Sequence, residues 1–272
     1  MRLVRPPAPA LRPFVKALWA VNDDLPAGDA PTRERILPTG EMHLVFRLSD
    51  DPVRLHERAN DRGHAVGLAV VGGMRTAPYL RDVPPRRRSV GVQLHPGVAR
   101  LVLGVPADAL AGRHWALEDL WGAEAARARE RLLDAEGLAD RLDTLEALLA
   151  ERLPRPHALH PAVALAIERF GAAASVGEVV RETGRSHRAF IALFRSAMGV
   201  SPKVYCRVQR FQRVIRRLAA DPWAAWSDVA LDAGYSDQPH FVREFRRLAG
   251  LAPSEYRALA PRAHHVPLRA PR

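Results

Sequence analysis

Apolar residues recur at helical spacing in the C-terminal half of the chain. Between residues 203 and 220 the steps between Val204, Val208, Phe211, Ile215 and Leu218 are four, three, four and three residues. Positions spaced in this way share one face of an α-helix. The segment is therefore predicted to be one continuous amphipathic helix.

A second stripe of leucines lies upstream, in a segment rich in helix-forming residues. Leu138, Leu142, Leu145 and Leu149 recur at steps of four, three and four. The stripe must pack on something, either the core of its own domain or a second copy of the chain. A coiled-coil seam needs three or four sustained heptads, so the pattern favours packing within the domain.

Strand patterns precede these helices. The segments EMHLVFRL, HAVGLAVVG and SVGVQLH are short, rich in apolar or β-branched residues, and bounded by glycine and proline pairs. Such segments are typical of β-strands. We expect a mostly β domain over roughly residues 10 to 95, with helical additions after it. The arginine triplet at 86–88 is expected in a solvated loop, with an acidic ligand or the DNA backbone as an alternative contact.

A proline-rich stretch divides the chain. LPRPHALHP, residues 153–161, holds three prolines in nine positions, which is incompatible with a helix and typical of a linker. The predicted organisation is an N-terminal domain over 1–152, a linker over 153–161, an all-α domain over 162–260 and a basic tail over 261–272. The fold class is α+β.

The C-terminal part contains an internal repeat. EVVRETG at 178–184 lies 50 residues before DVALDAG at 228–234, and beyond the glycine the offset becomes 51. The later identities pair Phe190, Phe194, Arg195, Gly199, Pro202 and Tyr205 with Phe241, Phe245, Arg246, Gly250, Pro253 and Tyr256. One structural unit therefore occurs twice.

Each copy predicts a short helix, a tight turn and a second helix. In the first copy Ser175 and Glu178 can form a capping box, Gly184 can end the helix, and Ser186 can cap the next one. In the second copy Gly234 ends the helix and either Ser236 or Asp237 caps its successor. This order of elements is the helix-turn-helix pattern.

Charge follows the same division. Of the 41 basic and 30 acidic side chains, residues 157–272 hold 18 and 9, which leaves 23 and 21 in residues 1–156. The basic excess of +9 against +2 places a polyanion-binding surface, for nucleic acid or a membrane, in the C-terminal part. The predicted linking helix adds arginines every third residue, at 207, 210, 213 and 216, away from its apolar stripe.

Other patterns limit the function classes. The single cysteine, Cys206, excludes an internal disulfide and fits a reducing compartment. Arginine and proline interrupt the N-terminal apolar run, and no window reaches the ~18 apolar residues of a membrane span, so we expect a cytoplasmic protein with no membrane partner. The histidines at 43, 56, 64 and 95 lack metal-ligand spacing, and no cofactor or metal is predicted.

The segment GYSDQPHFVREFRRLAGLAPSEYR, with its upstream counterpart, resembles the DNA-binding domain of the AraC/XylS family of bacterial transcription regulators. The resemblance covers roughly residues 160–260. ILPTGEMHLVF and GVQLHPGVARLVLGVPADAL resemble, more loosely, the N-terminal domain of some members. This implies a sensing or dimerising role without naming a ligand.

The resemblance implies double-stranded DNA as the partner, with the two second helices in successive major-groove segments about 34 Å apart. It places His187, Arg188, Ile191, Ala192 and Arg195 on the outward side of the first recognition helix. Ile191 and Ala192 can offer only apolar contact. The predicted base contacts are His187, Arg188, Gln238, His240 and Arg243; the predicted phosphate contacts are Ser186, Arg195, Arg207, Arg210, Arg216, Ser236, Arg246 and Arg247.

Two other functions stay open from the sequence. Some proteins join this kind of DNA-binding domain to a catalytic N-terminal domain, but this front part has no cysteine nucleophile, no Gly-x-Ser-x-Gly and no phosphate-binding glycine loop. The chain is therefore expected not to be an enzyme. An interaction protein that binds DNA without sequence preference is the other alternative. A small-molecule effector, RNA polymerase and a second copy of the chain are further candidate partners.

Overall fold

The computed structural model describes residues 1–24, 33–58, 61–95, 97–153, 159–259, 261 and 264–268. Its strands form two antiparallel sheets. Strands β1 to β10 belong to the N-terminal part of the chain, and β11 lies near the C-terminus. The strands are β1 (Arg2–Arg5), β2 (Val15–Asp24), β3 (Arg33–Ile36), β4 (Met42–Arg47), β5 (Val53–His56), β6 (His64–Gly67), β7 (Ala69–Gly72), β8 (Tyr79–Asp82), β9 (Arg86–Leu94), β10 (His114–Ala116) and β11 (His265–Leu268).

One sheet has six strands in the order β1-β2-β9-β4-β7-β10, and the other has five in the order β11-β3-β8-β5-β6. Alternation along β4 separates the two faces of the first sheet. Met42, Leu44 and Phe46 enter the main apolar core, whereas His43 and Val45 belong to the opposite face. β7 alternates in the same way, with Val71 in the main core and Val70 in a small cluster with Val53 and Leu55.

Helices cover the apolar face of the six-stranded sheet. They are α1 (Ala99–Leu103), α2 (Ala107–Leu110), α3 (Glu118–Trp121), α4 (Ala123–Asp134) and α5 (Gly137–Arg152). Leu142, Leu145 and Leu149 of α5 have no solvent exposure and lie in this core. The leucine stripe thus packs within its own domain, as the sequence favours.

The C-terminal part is helical. Its helices are α6 (Pro161–Gly171), α7 (Val176–Glu182), α8 (His187–Met198), α9 (Pro202–Ala220), α10 (Trp226–Ala233), α11 (Gln238–Ala249) and α12 (Pro253–Ala258). The apolar stripe of α9 is buried at Val208, Phe211, Ile215 and Leu218, and joins the phenylalanines of both repeat copies in one core. The predicted α+β fold class is confirmed.

The two parts meet along α9. Leu37 and Met74 of the N-terminal part, and Val266 of β11, are buried in the same core as the helices of the C-terminal part. β11 pairs antiparallel with β3, with Val266 opposite Arg35. Residues of the segment expected to be a basic tail thus complete the five-stranded sheet. The predicted linker lies partly outside the described residues, at 154–158, as does the tail at 262–263 and 269–272.

The expectation of a loop at the arginine triplet is wrong. Arg86, Arg87 and Arg88 begin β9 and pair with Asp24, Asp23 and Asn22 of β2. Arg87 forms an ion pair with Asp23, and the guanidinium lowers the pKa of that carboxyl group. Antiparallel pairing with β2 therefore holds the triplet extended, and a strand at the sheet surface can carry charge on its exposed positions.

Candidate nucleic-acid interface

Local side-chain caps build the first helix-turn-helix unit. The Ser175 hydroxyl accepts a hydrogen bond from the Glu178 backbone N–H at 3.3 Å, and the Glu178 carboxylate accepts one from the Ser175 N–H at 2.7 Å. These bonds hold the pKa of Glu178 below its usual value. Gly184 has φ +64°, and Ser186 caps α8 through the Ala189 N–H at 3.3 Å. The predicted caps of this unit are confirmed.

The second unit repeats the arrangement. Gly234 ends α10 with φ +85°, and Asp237, rather than Ser236, caps α11 by accepting the His240 backbone N–H at 2.6 Å. This bond lowers the pKa of the Asp237 carboxyl group. α8 and α11 start 51 residues apart and end 51 residues apart, which matches the sequence offset beyond the glycine.

Phenylalanine pairs orient the second helix of each unit. Phe190 and Phe194 are fully buried in α8, and Phe241 and Phe245 are fully buried in α11. Residues four apart share a helix face, so both helices turn their other faces outward. The exposed candidates at the start of each helix are Ser186, His187 and Arg188 in the first unit and Ser236 and Gln238 in the second; Ala192, Arg195, Arg243, Arg246 and Arg247 are exposed further along.

A buried carboxylate lies beneath α11. Glu244 is 8% exposed and accepts hydrogen bonds from Arg210 Nη2 and from the Tyr235 hydroxyl, each at 3.3 Å. His240 Nε2 lies 3.5 Å from the same carboxylate, and His240 Nδ1 lies 3.1 Å from the Ser236 hydroxyl. Burial raises the pKa of Tyr235, with the neighbouring Glu244 charge adding to the effect. No sequence pattern predicted this cluster, although Glu244 is the sole acidic residue of α11.

Two of the residues predicted to contact DNA, His240 and Arg210, belong to this cluster. His240 is half-buried and its ring meets Tyr235 edge-on at 5.3 Å between centroids, so only part of the imidazole faces solvent. Arg210 is half-buried, pairs with Glu244 and lies over the Tyr235 ring at 5.3 Å from its centroid. These contacts give Arg210 a role in holding α9 against α11.

The surroundings of three other arginines of the linking helix, Arg207, Arg213 and Arg216, differ. Arg213 donates to the carbonyl oxygens of Phe170, Gly171 and Ala233 at 3.3 to 3.4 Å. Arg207 is half-buried. Arg216 is exposed and lies four residues after Gln212, near enough to Glu41 of the N-terminal part to influence its pKa. The face of α9 that carries Arg216 is thus also the face that meets the N-terminal part.

The histidines considered for a metal site have separate surroundings. His43 bonds the Thr39 hydroxyl at 3.1 Å, and His56 is held between carboxylate oxygens of Asp61 and Asp82, each at 2.7 Å. His64 is exposed and His95 half-buried. Within the described ranges, no group of three or more His, Cys, Asp or Glu side chains is placed to hold a metal ion. Of the helices that the structure describes, none is long and apolar enough to cross a membrane.

Two family models match the chain. Residues 179–259 match a family described as a helix-turn-helix domain, and residues 4–116 match one described as a domain of unknown function, DUF6597. The first match begins within α7 and runs through the second helix-turn-helix unit to the end of α12. The C-terminal part therefore belongs to the helix-turn-helix class of domains.

Similar proteins come from several bacteria. The chain is 35% identical over 82 residues to the probable transcriptional regulator LumQ of Photobacterium leiognathi, covering 30% of this chain and 33% of that protein. It is 35% identical over 85 residues to the putative HTH-type transcriptional regulator YkgA of Escherichia coli K12, covering 30% and 34%. A solved structure of a probable AraC family transcriptional regulator from Rhodopseudomonas palustris is 27% identical, covers 35% of this chain and 94% of that one, and has a TM-score of 0.32.

The matched part thus spans about a third of the length of the two curated relatives. With its duplicated helix-turn-helix unit and the linking helix α9, the C-terminal part is an AraC-type helix-turn-helix domain.

Proposed function

We propose that the chain is a sequence-specific DNA-binding transcription regulator. The observation that carries this proposal is the duplicated unit, in which α8 and α11 are oriented by the same buried phenylalanine pair and expose cations along their outer faces. Such helices fit the major groove, and two units joined by a rigid helix fit successive groove segments on one face of DNA.

The individual contacts follow from exposure and position. Arg243 lies two residues from each buried phenylalanine of α11, which at 100° per residue turns it away from the core. We assign base contacts to Arg188, His187, Gln238 and Arg243, with a smaller contribution from the half-buried His240. We assign phosphate contacts to Arg195, Arg246 and Arg247 and to the hydroxyls of Ser186 and Ser236, because these groups are exposed around the same faces. Arg207 and Arg216 remain phosphate candidates, whereas the contacts of Arg210 support a structural role.

We further propose that the two domains have separate roles. Residues 162–260 bind DNA, and residues 1–152 sense a small molecule or pair with a second copy of the chain. Contact with RNA polymerase would turn DNA binding into regulation. A non-enzymatic, cytoplasmic role fits the helix-turn-helix family and its regulator relatives.

Selection of binding sites from random duplexes with the full chain tests this proposal. We expect a bipartite consensus whose affinity falls steeply with salt, because each neutralised phosphate releases counterions with a log–log slope of about 0.9. The preferred duplex should bind at least about 10³-fold more tightly than a scrambled one at physiological salt. Equal affinity for both duplexes would instead support an interaction protein without sequence preference.

A further inference from the structure

The two recognition helices end on glycines that occupy equivalent positions of the repeat. Gly199 ends α8 with φ +81°, and Gly250, 51 residues later, ends α11 with φ +70°. Both glycines lie against the N-terminal part. The turn glycines that precede the two helices, Gly184 and Gly234, have no described atom of the N-terminal part within 4 Å of the place where a Cβ would start. The N-terminal part therefore contacts both units at the same point, the end of the recognition helix.

A helix of the N-terminal part packs on the end of α8. A Cβ added to Gly199 would lie 2.9 Å from the carbonyl oxygen of Ala107, the first residue of α2, and 3.4 Å from the Cβ of Ala111. Met198 is buried, and its sulfur would lie 3.5 Å from a Cβ added to Gly97. Because a side chain at position 199 would collide with a backbone oxygen, the glycine allows α2 and α8 to meet backbone to backbone.

The five-stranded sheet packs on the end of α11. Arg35 of β3 donates from Nη1 to the carbonyl oxygen of Gly250 at 3.3 Å, and the Cγ of Pro78 would lie 3.1 Å from a Cβ added to Gly250. β3 is an interior strand, since β11 pairs with it on one side and β8 on the other. Burial lowers the pKa of Arg35 and the charge of Glu255 opposes this change, but an arginine remains charged in either case. A charged donor on a strand that is fixed at both edges thus contacts the end of the second recognition helix.

Between these two points the N-terminal part contacts the linking helix. Pro38 accepts a hydrogen bond from Gln212 of α9 at 2.5 Å, and a Cβ added to Gly40 would lie 3.3 Å from Val208. The contacts with α8, α9 and α11 together form the seam between the domains. The N-terminal part thus contacts both units and the helix that joins them.

These contacts leave the starts of both recognition helices free. His187 and Arg188 of the first unit and Gln238 of the second are exposed. The contact points also belong to different layers of the N-terminal part, because α2 covers the six-stranded sheet whereas Arg35 belongs to the five-stranded sheet. One domain therefore holds the ends of both helices from two separate surfaces without covering these base-contact candidates.

We propose that the N-terminal part fixes the distance and the relative orientation of α8 and α11, with Arg35 and Pro78 as positioning residues for the second unit. This inference rests on the proposed function, since it concerns how the two helices meet DNA. One added base pair moves a groove segment by about 3.4 Å and turns it by about 35° around the duplex. Helices that are held both on α9 and on the N-terminal part cannot follow such a shift. The N-terminal part thus determines which spacing of the two groove segments the chain accepts.

Binding of the full chain to a series of duplexes tests this inference. The series starts from the preferred duplex found by site selection and adds or removes one base pair between the two contacted segments. The readout is the spacing penalty, defined as the dissociation constant for the altered duplex divided by that for the preferred one. We expect a penalty of at least about tenfold for the wild-type chain. Arg35→Met, which removes the donor to Gly250, should reduce this penalty at least about threefold.

Three further variants separate positioning from a general loss of stability. Arg35→Lys keeps a charged donor for the Gly250 carbonyl and should restore most of the penalty. Arg58→Met removes an equal charge at an exposed position after β5 and should leave the penalty unchanged. Pro78→Ala removes the other contact with Gly250 and should also reduce the penalty, which covers the case in which Arg35→Met does not fold. A general weakening would lower the affinity for all duplexes by the same factor and leave the ratio unchanged.

Two results would overturn the inference and leave the regulator standing. One is an unchanged penalty in Arg35→Met and Pro78→Ala when circular dichroism shows both variants to be folded. The other is a wild-type chain that selects a bipartite site and tolerates altered spacing. Failure of the wild-type chain to select any duplex would refute the regulator and this inference together.

Discussion

Replacing Gln212 with methionine tests the seam between the domains. Gln212 is 5% exposed; its Nε2 donates to the Pro38 carbonyl at 2.5 Å, and its Oε1 lies 2.8 Å from His264 Nε2. Burial lowers the pKa of His264 to about 4, so at neutral pH this ring is uncharged and its Nε2–H donates to Gln212. Methionine keeps the length of the side chain and removes both hydrogen bonds.

The expected cost follows from the groups left behind. The Pro38 carbonyl and the His264 ring would each lose a partner, at about 1–3 kcal/mol for a buried group. His264 is half-buried and recovers some hydration, so the sum should fall near 2–4 kcal/mol. Part of this loss should appear as separate unfolding of the two domains, because the bond joins one to the other.

Urea denaturation of the full chain, followed by far-UV circular dichroism and by tryptophan fluorescence, measures this change. The matched control is Gln209→Met, since Gln209 lies on the same helix against Gly40 and no side-chain hydrogen bond of Gln209 is seen among the described residues. The control should cost less than about 1 kcal/mol. If Gln212→Met costs no more than the control, the two hydrogen bonds do not hold the seam.

Three further predictions concern stability. Between pH 7 and pH 5 the free energy of unfolding should fall by up to about 1.4 kcal/mol per pH unit for each of His43, His114 and His264. The pKa values of these rings in the folded protein lie below the unfolded value, so only the unfolded chain takes up protons in this range. An unchanged urea midpoint between pH 7 and pH 5 would contradict this prediction. Glu244→Leu should cost about 2–4 kcal/mol by stranding Arg210 and Tyr235, and Glu244→Gln clearly less, as measured by urea denaturation; equal costs would show that hydrogen bonding is irrelevant there. Gly91→Ala should destabilise the fold by about 1–3 kcal/mol, because the new Cβ would lie 2.4 Å from Trp19 and 2.8 Å from the Leu44 carbonyl oxygen. Gly177→Ala has open space around it in α7 and should be neutral or stabilising by up to about 1 kcal/mol. Thermal melts that ranked the two variants the other way would refute this packing argument.

The sequence was sufficient for the helix-turn-helix units because their determinants are local. Ser175, Glu178 and Gly184 act on backbone groups within a few residues, and the duplicated order made the pattern specific. The choice between Ser236 and Asp237 as the cap of α11 needed the structure, since both can accept the same kind of bond.

Features built from distant segments could not be predicted in this way. The pairing of β11 with β3 joins residues more than 200 positions apart, and nothing in a short basic segment signals which strand it will meet. The arginine triplet at 86–88 was predicted to lie in a loop because the strand that pairs with it, β2, is far away in sequence.

Sequence periodicity predicts the exposure of some candidate DNA contacts but not the tertiary contacts of others. Exposure on a helix such as α11 follows from the buried positions of Phe241 and Phe245, so an outward Arg243 was predictable. That Arg210 would pair with Glu244 instead of remaining free depends on how α9 packs against α11, which periodicity does not specify.

The central claim is that α11 reads bases in the major groove, and paired titration of Arg243→Ala and Arg247→Ala tests it most directly. Both arginines are exposed on the same helix, which makes them matched variants. Each full-length protein is titrated with its preferred and its scrambled duplex at several salt concentrations, with circular dichroism confirming the fold.

If Arg243 reads a guanine edge, Arg243→Ala should cost about 1–3 kcal/mol on the preferred duplex, leave the scrambled one nearly unchanged and relax specificity at one base pair. If Arg247 contacts phosphate, Arg247→Ala should weaken both duplexes alike and lower the salt slope by up to about 0.9. Equal weakening of both duplexes by Arg243→Ala would contradict base reading by α11.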